Sequence, residues 1–294
     1  FLQHAIDRLA PMLRFFRHGD HSLAHFNGSN AGDGELIDLA LSKADARGRA
    51  PRSAPHSGFE RLSAGRMLVL VDAGQPMQGF DRAACAGTLS FEASIGRDRL
   101  IVNCGAATGE NQQWRWACRT TAAHSTAQVD DRNSSEIRDN GAFGRKPSVI
   151  LCEREDKDGN SLLTMSHDGY LKSLSILHKR RLYLTADGEN LRGEDILSGP
   201  ADHPFTIRFH LHPRVQASLA KDNHQALIRL SGGAGWRLRA DVGLMRIEDS
   251  IYLDDPYVPR RSQQIVIEGR TGGYGIAVNW ELKRHDQRST RDWT

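Results

Sequence analysis

His124 has the surroundings that a chemically active histidine needs. It lies in residues 119–130, RTTAAHSTAQVD, with threonine, alanine and serine on both sides. Small neighbours leave room around an imidazole, and their hydroxyl groups can form hydrogen bonds with it. We therefore predict that His124 transfers protons or binds a metal. A buried histidine that bonds to a backbone carbonyl is an equally favoured alternative.

Cys85 and Asn103 could join His124 in a metal site. They lie in AACAGTLSF and IVNCG, on two predicted strands that can pair as a hairpin around Gly96. That pairing would bring both side chains near His124, and zinc is the metal we predict. The set is weaker than two histidines and a carboxylate, because an amide oxygen carries no negative charge. From local sequence alone, packing is the more common role for such a trio.

The turn HDGY, residues 167–170, brings an imidazole, a carboxylate and a phenol together after the predicted strand SLLTMS. Each of these groups can take part in proton transfer. We predict Tyr170 as a catalytic residue beside His124, and His167 as a substrate contact. The competing interpretation is a hairpin turn at Asp168-Gly169 that is flanked by a packing tyrosine.

Trp114 and Arg119 are predicted substrate contacts. In WRWACR, an indole could stack on a sugar ring and a guanidinium could bind a carboxylate with two parallel hydrogen bonds. We interpret this segment as a strand with one polar face, although two tryptophans on one face of a strand are more often part of a core.

His210 and His212, in FHLHP, are two residues apart on a predicted strand and therefore face the same side. This spacing suits a pair of metal ligands. It equally suits the polar side of an amphipathic strand, with Phe209 and Leu211 on the other side. Their role stays open.

Composition and missing motifs exclude several classes of protein. The 39 basic and 36 acidic residues are mixed along the chain and leave a net charge of only +3, so we expect no nucleic acid as partner. No apolar run is long enough for a membrane span, and we expect no membrane partner. The four cysteines have irregular spacings that indicate neither a disulfide framework nor a zinc ribbon. GxSxG, Walker, dinucleotide and HExxH motifs do not occur.

Hydrophobic patterns place these residues on elements. Apolar residues recur at helical spacing in residues 2–16 and 36–44, and residues 47–65 have the composition of a connector. From Arg66 onward, eleven short alternating or β-branched runs are separated by Gly, Asp and Asn. This texture predicts an all-β chain that folds as a large antiparallel β-sandwich. Since the sequence has neither an initiator methionine nor a secretion signal, we expect it to begin inside a longer gene product, and it indicates no compartment.

The order of motifs in residues 59–283 resembles the sandwich domain of the heparinase II/III-like polysaccharide lyases. The series comprises the DAG strand, the LSFE strand, the NCG turn, the W…RTTAAHST segment, HDGY and FHLHP. The resemblance implies a supersandwich, preceded by the last helical part of an α/α-toroid in residues 1–26. It further implies a linker with a short helix in residues 27–65, the sandwich in residues 66–283 and a polar tail in residues 284–294.

The resemblance also implies a site and an activity. The metal ligands of the family fall on Cys85, Asn103 and His124, and only the last of them is still the family's residue. A catalytic histidine of the family falls on Ala83, while its tyrosine base and its asparagine belong to the toroid. The implied activity is β-elimination on a uronic-acid-containing polysaccharide, with the N-terminal helical domain of the same protein supplying the rest of the site. The alternative is a non-catalytic carbohydrate-binding or structural module.

Overall fold

The computed structural model describes residues 2–44, 48–76, 83–108 and 111–285. From residue 286 on, the predicted polar tail therefore lies outside the described residues. The helices are α1 (Leu2–Phe15), α2 (Gly34–Lys43), α3 (Gln112–Ala117) and α4 (Leu171–Leu174), and a 3-10 turn spans Thr121–Ala123. In the described part of the chain, no helix is long and apolar enough to cross a membrane.

The strands, in chain order, are β1 (Ser53–Ala54), β2 (Phe59–Ala64), β3 (Met67–Asp72), β4 (Phe91–Ile95), β5 (Asp98–Val102), β6 (Ala127–Val129), β7 (Val149–Lys157), β8 (Asn160–His167), β9 (Leu177–Leu184), β10 (Asn190–Ser198), β11 (Pro204–Leu211), β12 (Gln216–Leu219), β13 (Gln225–Arg229), β14 (Gly235–Ala240), β15 (Leu244–Asp255), β16 (Val258–Arg270) and β17 (Ile276–His285).

These strands form two antiparallel sheets packed face to face. The first sheet has the order β1-β2-β3-β4-β5-β11-β16-β15, with β6 also paired to β11. The second sheet has the order β12-β13-β14-β17-β10-β9-β8-β7. The prediction of an all-β antiparallel sandwich with a short N-terminal helical segment is confirmed.

The sandwich begins earlier in the chain than predicted. Strands β1 and β2 lie within residues 27–65, which the sequence suggested as a linker, and β2 pairs along its whole length with β3. These strands were not predicted, because residues 47–65 are rich in arginine, serine, proline and glycine, a composition that is more typical of connectors. The first sheet therefore starts at Ser53 rather than at Arg66.

The core between the sheets comes from alternate residues of the strands. In β11, Phe205, Ile207 and Phe209 point inward and are almost completely buried. The ring of Trp280 from β17 stacks on Phe91 at 5.7 Å and meets Phe209 edge-on at 5.0 Å. These aromatic contacts join the two sheets and fix which face of each strand is turned inward.

The N-terminal segment packs on the outer face of the first sheet. Phe15 and Phe26 form a second apolar cluster with Phe59 and Leu70 of β2 and β3. The helical periodicity correctly predicted α1 and α2, and Asp33 caps α2 by accepting hydrogen bonds from two backbone N–H groups. Leu9 of α1 belongs to the apolar repeat of residues 2–16, yet it is 63% exposed.

A buried carboxylate ties this segment to the sheet. Glu92 of β4 accepts a hydrogen bond from His18 Nε2 at 3.1 Å and from the backbone N–H of His25 at 3.1 Å, and pairs with the Arg99 guanidinium. Burial alone would raise the pKa of Glu92, but the charge of Arg99 and the hydrogen bond from His18 hold it below its usual range. Residues 18–25 are therefore held to the sandwich by a paired, hydrogen-bonded charge.

Candidate functional site

A groove beside α3 is lined in part by residues of the predicted site. It has a volume of about 690 Å³, and its lining includes Cys85, Arg115, Trp116, Arg119 and Asn140. Asn111 caps α3 by accepting a hydrogen bond from the backbone N–H of Trp114. The prediction of a strand over WRWACR is therefore wrong. The segment turns into a short helix that places Arg115 and Trp116 on the rim of the groove.

His124 lies just after the 3-10 turn, and its imidazole is buried. Its Nδ1–H donates to the Thr120 carbonyl at 2.8 Å, so Nε2 is the unprotonated nitrogen. Burial lowers the pKa of His124 to about 4. A Cβ on Gly87 would stand only 2.6 Å from His124 Cδ2, so a glycine is needed there. The hydrogen bond of Nδ1 to a backbone carbonyl agrees with the alternative interpretation of His124 as a buried histidine of this kind. Its Nε2 is still able to accept a hydrogen bond.

Asn103 lies next to the segment that carries His124, as the predicted hairpin required. Strands β4 and β5 do pair around Gly96. The Asn103 Oδ1 accepts from the backbone N–H of Ser125 at 2.9 Å, and its Nδ2 donates to the His25 carbonyl at 3.1 Å. The amide is fully buried and holds together three chain segments that are distant in sequence.

Cys85 is a wall residue of the groove whose thiol is buried. Burial raises the pKa of Cys85 to about 12, so the sulfur stays protonated at neutral pH. The Asn103 oxygen already accepts from the backbone N–H of Ser125, and an amide is not one of the side chains that commonly bind zinc, so this trio does not fit a zinc ion well. Among the described residues, no three His, Cys, Asp or Glu side chains converge to hold a metal.

Tyr170 and His167, predicted as a catalytic residue and a substrate contact, are both completely buried. The Tyr170 hydroxyl donates to the Ala127 carbonyl at 3.0 Å, and burial raises its pKa above the usual range. His167 Nδ1 accepts from the backbone N–H of Gly169 at 3.0 Å. Neither side chain can reach a polysaccharide, so these placements argue against both predicted roles.

His167 is instead the first residue of a hydrogen-bond network that was not predicted from the sequence. Its Nε2–H donates to His178 Nδ1 at 3.1 Å, and His178 Nε2–H donates to Asp195 at 2.8 Å. Asp195 also accepts from Arg180 Nε at 2.7 Å and from Trp280 Nε1 at 2.9 Å. The alternation of β9 and β10 could have revealed it, because Arg180 and Asp195 lie an even number of residues from buried leucines and therefore share their inward face.

Arg180 connects this hydrogen-bond network to residues of the first sheet and its loops. Its Nη1 donates to the carbonyls of Leu89 at 2.8 Å and Ser125 at 3.0 Å. Leu89 follows the turn that holds Gly87, and Ser125 follows His124. The buried guanidinium therefore fixes the backbone on two sides of the imidazole.

Arg119 and Trp114, which were predicted as substrate contacts, lie in different surroundings. The Arg119 Nε donates to the Ala84 carbonyl at 2.9 Å and its Nη1 to the Gly141 carbonyl at 2.6 Å, with the guanidinium stacked 4.8 Å from the centre of the Phe143 ring. Arg119 thus holds the groove wall together. Trp114 lines a neighbouring cleft of about 290 Å³. Trp116, which was not singled out, is 48% exposed.

His210 and His212 do not form a ligand pair. His210 Nε2–H donates to the Ala122 carbonyl at 2.9 Å, and its Nδ1 accepts from the Ser250 hydroxyl at 2.8 Å. Burial lowers the pKa of His210 to about 3. His212 packs edge-on against Tyr252 with ring centres 5.0 Å apart. Both histidines therefore serve the packing of the outer face of the first sheet.

Comparison with known proteins decides the family. The family model described as "Heparinase II/III-like, C-terminal" matches residues 46–284. The chain belongs to the heparinase II/III-like C-terminal family. The heparan sulfate lyase HepC from Pedobacter heparinus superposes with a TM-score of 0.74 at 15% identity, covering 92% of this chain and 45% of that one. A heparinase III superposes with a TM-score of 0.70 at 12% identity, covering 95% of this chain and 48% of that one. These two likenesses concern the fold.

A curated relative of this heparinase-like chain has a different name. FtsZ-localized protein C of Caulobacter vibrioides (strain NA1000 / CB15N) is 34% identical over 312 aligned positions, covering 96% of this chain and 52% of the relative. The chain thus spans about half the length of that relative.

Proposed function

We propose that this heparinase-like chain binds an acidic polysaccharide in the groove beside α3 and does not supply the chemistry to cleave it. The observation that supports the proposal is the pair of side chains on the rim of the groove. An exposed Arg115 guanidinium and the half-exposed Trp116 indole stand on its rim. These groups suit recognition of a charged sugar, through a hydrogen-bonded carboxylate or sulfate and a stacked ring.

Charge in the groove favours an anion modestly. Among the described residues, its lining carries Arg115 and Arg119 against one carboxylate, Asp139. Arg119 bonds to carbonyl groups and keeps its charge near the groove, while Arg115 is exposed and reaches solvent. The balance supports binding through one or two charged contacts.

Elimination across a uronic acid needs a group that neutralises the carboxylate, a base for the C5 proton and an acid for the leaving oxygen. Ala83 stands where the family resemblance implies a histidine, and the Cys85 thiol holds its proton. Tyr170 and His167 are inside the core. Among the predicted groups, this leaves His124 Nε2 as an unprotonated acceptor, and the His124 imidazole is buried as well, so we favour binding over cleavage.

The test uses the full-length protein with heparan sulfate, chondroitin sulfate and alginate. We expect saturable binding by calorimetry to at least one of them and no ultraviolet absorbance from unsaturated uronate. Replacing the rim arginine in Arg115→Ala removes a charge-assisted contact of about 1.5–3 kcal/mol, so affinity should fall about tenfold or more.

The matched control is Arg229→Ala, since this arginine is also exposed but lies on β13, away from α3. We expect it to bind like the wild type. Absorbance that grows with time would establish lyase activity instead, and equal losses in both arginine variants would remove the groove as the binding site.

A second candidate function is localisation with FtsZ. It is favoured by the 34% identity to FtsZ-localized protein C, which extends over 96% of this chain. A fluorescent fusion of the full-length protein, imaged together with labelled FtsZ in dividing cells, tests it. A fusion that stays evenly distributed while FtsZ assembles at midcell would contradict this candidate.

A further inference from the structure

The outer face of the second sheet carries a row of large side chains that runs straight across five strands. Register partners place these residues side by side on β8, β9, β10, β17 and β14. In that order they are Leu162, Tyr183, Arg192, Glu281 and Arg239. Because residues two apart on a strand share a face, this row points away from the core.

A second row lies beside the first. It consists of Arg181 on β9, Glu194 on β10 and Asn279 on β17, which are also register partners. Asp241, just beyond β14, extends it, because its carboxylate accepts from both the backbone N–H and the side-chain amide of Asn279 at 2.9 and 2.7 Å. Together the two rows line a groove of about 530 Å³, which we call the outer groove.

The shape of the outer groove fits a linear occupant. Five neighbouring strands spaced by about 4.8 Å give the groove a length of roughly 19 Å across the sheet. A compact ligand would touch only part of this length. An extended chain would contact both rows along their full course.

The charges of the outer groove cancel. Three arginines stand against three carboxylates, namely Arg181, Arg192 and Arg239 against Glu194, Glu281 and Asp241. A polyanion would meet as many carboxylates as cations, and a polycation would meet as many guanidinium groups. The groove therefore favours a neutral occupant that is rich in hydrogen-bonding groups.

The ion pairs in the groove can exchange partners with a ligand. Arg181 and Glu194 are 3.2 Å apart, with 45% and 24% of their side chains exposed. Arg192 and Glu281 are 3.6 Å apart and also partly exposed. Such pairs contribute little to stability, so these planar groups can donate to and accept from hydroxyl groups at low cost. The half-buried ring of Tyr183 lies among them and offers a surface for a sugar ring.

We infer that the outer groove binds a linear neutral saccharide, independently of the proposed acidic-polysaccharide site beside α3. Planar donors and acceptors in two rows, one aromatic ring and zero net charge are the chemistry that recognises a chain of uncharged sugars.

The test is calorimetric titration of the full-length protein with hexasaccharides of glucose, xylose and N-acetylglucosamine. We expect at least one of them to bind saturably, and Tyr183→Ala to weaken that binding about tenfold or more. The matched control Tyr183→Phe keeps the ring and should retain most of the affinity. Arg192→Gln is a second outward-facing change that should also weaken binding.

Absence of binding to all three hexasaccharides would overturn the inference, as would unchanged affinity in both Tyr183→Ala and Arg192→Gln. A loss of heparan sulfate binding in Arg192→Gln would show that the groove takes polyanions and would equally overturn it. The variant Arg115→Ala separates the two sites, because it should leave hexasaccharide binding unchanged even if the proposed function fails.

Discussion

Replacing Asp195 by asparagine should destabilise the protein more than any change to an exposed charge. The Asp195 carboxylate is completely buried and accepts hydrogen bonds from His178, Arg180 and Trp280. Asp195→Asn keeps the shape but leaves the buried guanidinium of Arg180 without its counter-charge. Breaking a buried pair in this way costs about 3–5 kcal/mol.

The assay is thermal unfolding of the full-length protein, followed by circular dichroism. For a domain of this size, such a loss lowers the Tm by roughly 10 °C. Glu194→Gln is the matched control, because Glu194 is the neighbouring residue on β10 and makes a partly exposed pair with Arg181. That pair is worth only about 0–1 kcal/mol.

A double variant sharpens the reasoning. In Asp195→Asn with Arg180→Met, the stranded cation is gone, so part of the lost stability should return. The reasoning is refuted if Asp195→Asn unfolds at the same temperature as Glu194→Gln. It is also refuted if the free energy of unfolding lost in the double variant exceeds the sum of the losses in the two single variants.

Three further predictions concern the histidines, the turn beside His124 and the buried tyrosine. Burial lowers the pKa of His18, His25 and His124 from 6.5 to about 4. Below pH 6.5 the unfolded chain therefore binds more protons than the folded protein, so the free energy of unfolding should fall by several kcal/mol from pH 7 to pH 5. Denaturant titrations that show no such fall would contradict this prediction. Gly87→Ala places a Cβ 2.6 Å from His124 Cδ2 and should cost about 1–3 kcal/mol in urea unfolding. The control for the change to alanine is Gly273→Ala, because nothing lies within 4 Å of the added Cβ at that position. Tyr170→Phe should cost about 1 kcal/mol of stability and leave glycan binding unchanged, and a loss of glycan binding in a variant that stays folded would contradict a purely structural role for Tyr170.

Alternation along the strands made the sandwich predictable from sequence. The runs from MLVLVDA onward lie on strands because one residue in two faces the core, as in β11. Strand β2 was not predicted because apolar and polar residues alternate only weakly in its sequence, FERLSA, and its pairing with β3 cannot be read from that segment alone. The segment WRWACR escaped for another reason. Its helix has only six residues, and its clearest signal is the cap at Asn111.

The candidate site was only partly predictable. Pairing of β4 with β5 placed Asn103 beside the His124 segment, as expected. Burial of Tyr170 could not be foreseen, since its hydrogen-bond partner Ala127 belongs to a strand that is distant in sequence. Local sequence shows that a side chain is titratable. It does not show whether a remote strand closes over it.

The affinity of the full-length protein for heparan sulfate, compared between the wild type and the double variant Arg115→Ala with Trp116→Ala, tests the central claim most directly. We predict saturable binding by the wild type, at least a tenfold loss in the double variant, and no unsaturated product in either titration. Equal affinity of the two proteins, or accumulation of unsaturated uronate with the wild type, would contradict the account.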